Sequence, residues 1–96
     1  MVDPVAPGKI LTMESLNDTS WVTTRADLVS YINLLAQEAQ APSCGWENPS
    51  LDRYLEALAA WTDDMDGYFG NRGEPVPDRP DWSLIAGMLR AACFYE

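Results

Sequence analysis

From residue 46 onward, apolar side chains return every three or four positions, in two runs separated by a segment that resists helix formation. The first run places Leu51, Tyr54, Leu55, Leu58, Trp61, Met65, Tyr68 and Phe69 on one helical face for about five turns. The second places Trp82, Ile85, Leu89, Ala92 and Cys93 on one face, and Leu84, Met88, Ala91 and Tyr95 on another. Between them lies Glu74-Pro75-Val76-Pro77-Asp78-Arg79-Pro80, whose prolines lack the amide hydrogen that a helix interior needs. The pattern predicts helices over 49–70 and 82–95 that bury aromatic faces.

The ends of both runs carry matching signals. Asn48 suits a helix cap and Pro49 the first helical position. Gly67 weakens the run by about 1 kcal/mol relative to Ala, and Gly73 supplies a stop. Asp81 is the expected cap of the last helix, whose polar side chains are confined to Ser83, Arg90 and Glu96. A helix apolar nearly all round predicts burial between other helices or a homodimer seam along the third helix.

Upstream, a helix is predicted over 25–40. Thr24 caps it, with Asp27 as a short variant of the capping box. Leu28, Ile32, Leu35 and Ala39 form its apolar stripe, and Asp27, Ser30, Asn33, Gln37 and Gln40 lie off it. Ala41-Pro42 ends it. Residues 1–20 contain the breakers Asp3-Pro4 and Pro7-Gly8 and predict a flexible N-terminal segment, with at most a short extended piece over 9–13. A 96-residue chain forms one domain with a modest core. The expected fold is all-α: a compact three-helix domain over 21–96 with a loosely ordered N-terminal segment.

Charge narrows the partners. Fifteen acidic residues against six basic ones give a net charge of −9. Such a chain repels polyphosphate and anionic lipid, which argues against direct nucleic-acid and membrane binding. A basic protein partner, or solubility alone, accounts for the excess acid. No apolar run approaches the roughly 20 residues of a membrane span, and residues 1–13 lack the basic start and apolar core of a signal peptide. The chain therefore reads as cytoplasmic, with Cys44 and Cys93 as reduced thiols and a bridge between them as the alternative.

Chemistry finds little purchase. The chain has no histidine, so Cys44 has no imidazole to activate it, and a closed zinc site lacks ligands. Cys93 on an apolar face reads as a core residue. Asp63-Asp64-Met65-Asp66-Gly67 resembles part of a calcium loop. With Gly67 sixth, however, the first position is Thr62 and the twelfth is Gly73, so the bidentate glutamate is missing. No catalytic residue, cofactor or metal is expected.

What remains is surface. Residues 47–81 hold nine acids and three bases, a net −6. Asp52, Glu56, Asp63 and Asp66 gather away from the aromatic face. Asp63, Asp64 and Asp66 lie toward the helix C-terminus, where the dipole disfavours acid. Trp46, beside Gly45 in a loop, either packs over the start of the second helix or anchors a partner.

The stretches WENPSLDRYLEALAAW and NRGEPVPDRPDWSLIAGMLRAACFYE resemble a family of short, acidic bacterial proteins of unknown function, from about Thr24 to the C-terminus. The resemblance implies an all-helical domain and supplies no activity. The leading functional expectation is a non-enzymatic protein-interaction module that docks a basic surface through Trp46, Asp52, Glu56, Asp63, Asp64 and Asp66. One rival is a toxin-neutralising (immunity) or nucleic-acid-mimicking protein that masks a basic site. A carboxylate-only enzyme using Asp63 with Glu56 is another, and needs a concave, partly buried site.

Overall fold

The computed structural model describes residues 11–42 and 44–95. Among them are four α-helices and no strand: α1 (Arg25–Gln40), α2 (Leu51–Asp63), α3 (Met65–Asn71) and α4 (Trp82–Phe94). A short 3-10 helix, Met13–Asn17, precedes them. The all-helical expectation holds, but the count of three helices does not, because the helix expected over 49–70 is two.

The break falls at Asp64, at φ −93° and ψ 6°. Its N–H reaches back to Ala60 O and Trp61 O, at 3.0 and 3.1 Å. Asp63, Asp64 and Asp66 fit poorly at the negative end of one long helix. Breaking the helix places Asp66 in the first turn of α3, where acid is favoured. The α3 stop at Gly73 forms as expected: its φ is +68°. Its N–H bonds Gly70 O at 3.1 Å, and the Glu74 N–H bonds Phe69 O at 2.9 Å. This pair closes the helix as a Schellman motif, which favours glycine.

Asn48 departs from its expected role. The residue preceding α2 is Ser50, and Asn48 is buried. Its Nδ2 donates to Ala92 O at 3.0 Å and Tyr95 O at 2.8 Å. Its backbone N–H donates to Cys93 O at 3.0 Å. Asn48 thus satisfies carbonyls at the C-terminal end of α4, the groups a helix cannot pair internally. Cap preference is a local signal, and the distant helix end outcompetes it.

α1 spans its expected range. Thr24 Oγ1 accepts the Asp27 N–H at 3.0 Å. The Asp27 carboxylate accepts from the Thr23 N–H at 3.1 Å and the Thr23 hydroxyl at 3.2 Å, so it is buried with partners. The buried face is Leu28, Tyr31, Leu34 and Leu35, rotated from the expected stripe so that Ile32 and Ala39 are exposed. Tyr31 drives the rotation: it is fully buried, and its hydroxyl donates to Leu16 O at 2.6 Å.

That bond corrects the N-terminal expectation for residues 11–20. Leu16 is fully buried. Trp21 Nε1 donates to Ser15 O at 3.0 Å, and the Ser83 hydroxyl on α4 donates to Thr19 O at 2.8 Å. The segment belongs to the domain because it covers apolar surface of α1 and α4. Of the extended piece expected over 9–13, residues 9 and 10 lie outside the described residues, and Met13 opens the 3-10 helix.

α4 is capped by Asp81 Oδ1, which accepts the Leu84 N–H at 2.7 Å. Its two apolar faces meet two neighbours, α1 and α2, and Trp82 and Phe94 are its exposed large side chains. The main core joins Leu16, Val22, Leu28, Tyr31, Leu34, Leu35, Ala86 and Cys93. α2 buries only Ala57 and Trp61, so it packs as an outer helix.

Candidate functional site

The outer position of α2 sets out three rows of side chains. At 3.6 residues per turn, Tyr54, Ala57 and Trp61 fall in one arc of about 60°, and they face inward as half-buried or buried residues. Leu51, Leu55, Leu58 and Thr62 occupy the next arc, about a quarter-turn on. Leu51 is 74% exposed and Leu55 52%. Asp52, Glu56 and Asp63 form a third, acidic row roughly 110° beyond the leucines, and all three are exposed. Two of the leucines expected in the core thus face outward beside acid. The apolar arc of α2 is too wide for one neighbouring helix to cover, and α4 takes only its inner half.

The acids do not form one ridge. Asp64 sits at the break and accepts the Tyr95 hydroxyl. That hydrogen bond, then burial and the nearby carboxylate charge, raises the Tyr95 pKa. Asp66 projects from α3. A hydrogen bond from the Ser50 hydroxyl, then one from the Arg53 N–H, holds the Asp52 carboxyl below its ordinary value. The structure therefore keeps Asp52, Glu56 and Asp63 as a row and places Asp64 and Asp66 on the adjoining turn and helix.

Trp46 packs over the start of α2. It is half-buried, with its ring stacked on Tyr54 at 5.7 Å between centroids and 26° between planes. Its Nε1 donates to Glu38 Oε1 at 2.5 Å. The same oxygen accepts Arg90 Nη1 at 2.5 Å, and Arg90 Nη2 donates to Asn17 Oδ1 at 2.9 Å. Burial pushes the Glu38 carboxyl up, but the hydrogen bonds from Arg90 and Trp46 outweigh it and leave the pKa lowered. Sequence reasoning missed Glu38 and Arg90, because their partners lie 52 residues apart.

Two grooves flank α2. One, of about 430 Å³, lies between α1 and residues 46–54 and is lined almost wholly by apolar side chains, Ile32 and Leu51 among them. The other, of about 440 Å³, lies between α3 and α4 and contains Arg72, Arg90, Glu74 and Asp81. Its charges are engaged within the protein: Arg72 pairs with Glu74 at 3.1 Å, Arg90 with Glu38, and Asp81 caps α4.

Cys44 and Cys93 are both free thiols. Burial pushes the Cys93 thiol up to about 11, so it stays protonated and inert near neutrality. Among the described residues, no group of three or more His, Cys, Asp or Glu side chains could hold a metal ion. No helix of the described residues is long and apolar enough to cross a membrane.

No curated protein and no solved structure matches the chain. A family model does match, over residues 24–96, and it covers α1 to α4 with their connectors. The chain belongs to that family, DUF7660, a family of unknown function.

Proposed function

We propose that the chain is a non-enzymatic protein-interaction module that docks a partner with a basic surface through the outer side of α2. The observation that carries this is the 74% exposure of Leu51 in a row bordered by Asp52, Glu56 and Asp63. Exposed leucines beside uncompensated acid suit a surface that is apolar in its middle and basic at its rim. A nucleic-acid mimic has less support, since phosphate-like carboxylates need no leucine border. Carboxylate catalysis by Asp63 with Glu56 has less still, because both side chains are exposed on a helix exterior.

The test is affinity capture with the wild type and two variants, Leu51→Asp/Leu55→Asp and Asp52→Lys/Glu56→Lys/Asp63→Lys. All the substituted positions are exposed, so the melts should shift little. The expected result is a stoichiometric basic partner whose affinity falls at least about tenfold in each variant. Unchanged affinity in both folded variants refutes the α2 docking face.

A further inference from the structure

The leucine row of α2 runs into the apolar groove that α1 walls on its far side, and that continuity narrows the partner. Ile32, Ala36 and Ala39 recur along one strip of α1, all exposed, with Ile32 at 44%. Opposite them stand Leu51 and the ring of Trp46, with Leu35 and Leu89 also lining the groove. The polar side chains lining it are Ser50 and Tyr54, and the Tyr54 hydroxyl already donates to Leu89 O at 2.7 Å. Trp46 is held by Tyr54 and by the Glu38–Arg90 pair, so this wall is formed before anything binds.

We infer that this groove receives a basic amphipathic helix from another protein. The inference rests on α2 being the docking face and specifies what docks there. The α1 wall of the groove pairs its backbone groups within the helix and offers no ladder to an extended peptide. A helix satisfies its own backbone and presents only side chains. Apolar anchors at i, i+3 or i+4, and i+7 would span the two turns from Ile32 to Ala39. Ala36 and Ala39, being small, leave room for those anchors. Lysine or arginine beside the anchors would find Asp52, the residue after the groove-lining Leu51, and the net charge of −9 favours their approach. A second copy of this chain is a poor occupant, because both molecules carry a net charge of −9.

The probe is a synthetic helical peptide of about 18 residues, roughly five turns, with leucines on one face and lysines elsewhere. A scrambled peptide of the same composition is the control. Binding is followed by titration calorimetry and by amide shifts in the full-length protein. The expected result is a 1:1 complex with shifts at Ile32, Ala36, Ala39 and Leu51, and affinity at least about tenfold weaker for the scrambled peptide. Ala36→Glu and Ile32→Glu should each cause a similar loss while the melt stays cooperative. Equal binding of both peptides, lost in Asp52→Lys/Glu56→Lys/Asp63→Lys and indifferent to Ala36→Glu, overturns the groove but leaves the α2 face standing. No saturable binding of either peptide overturns the groove, while the α2 face then stands or falls by the capture experiment. Concentration-dependent dimerisation abolished by Ile32→Glu overturns the foreign helix in favour of a second copy.

Discussion

Asn48 shows how a residue's local preference yields to a distant demand. Its side-chain amide donates to two carbonyls at the end of α4, more than forty positions away in the chain. An asparagine at a helix start can be replaced by aspartate with little loss, since both accept hydrogen bonds there. Here the amide is the donor. Asn48→Ala should destabilise the protein by about 1–3 kcal/mol, the range for orphaning buried polar groups. Asn48→Asp should do at least as much harm, by setting a carboxylate against carbonyl oxygens at the negative end of α4. Urea midpoints decide it: an aspartate variant as stable as the wild type would mean that these donated bonds contribute nothing.

Gly67 within α3 and Gly73 just past its C-terminal end make opposite predictions about a single element. Gly67 has helical geometry, and a Cβ built there meets nothing within 4 Å. Gly67→Ala should stabilise the protein by about 0.5–1 kcal/mol, by restricting the unfolded chain and raising helix propensity. Gly73 also has open space, but its φ of +68° strains any side chain. Gly73→Ala should destabilise by about 1 kcal/mol. Thermal melts of the pair should move in opposite directions. Two shifts of the same sign would contradict either the helicity of α3 or its Schellman end. The glycines and aspartates of 63–73 were visible in the sequence, but the break at Asp64 was not. It sets the dipole, which disfavours acid late in a helix, and the contact between Asp64 and Tyr95 against continuation of α2.

At the scale of the molecule, Arg90 ties α4 to α1 through Glu38 and to the 3-10 helix through Asn17. The residues of that 3-10 helix precede the family match, which begins at residue 24, yet Leu16 is fully buried in the main core. The Glu38 pKa is lowered from 4.5 in the folded protein. A depressed carboxyl adds stability above its unfolded pKa and loses it as pH falls through the folded value. Wild-type stability should therefore decline as acid is added below about pH 4.5. The gap between wild type and Glu38→Gln should shrink over the same window. Urea midpoints at pH 7 and about pH 3 measure this. A constant gap would mean that the pair carries no proton linkage.

By itself, the sequence determined the helical class, the ranges of α1 and α4 to within a residue, the Thr24 and Asp81 caps and the Gly73 stop. These depend on 3.6-residue periodicity and on groups a few positions apart, so they are written locally. Tertiary structure alone decided which part of each wide apolar arc became core. Tyr31 displaced Ile32 from the α1 core face because its hydroxyl reaches Leu16 across fifteen residues of chain. Leu51 and Leu55 were left outside because α4 has room for only one side of α2. The acids of the candidate site were legible as a cluster. Their division into a row on α2 and outliers at Asp64 and Asp66 was not, because it follows from where the helix breaks. The apolar groove beside that row arises only where α1, α4 and residues 46–54 converge, and periodicity within any one segment carries no information about that convergence.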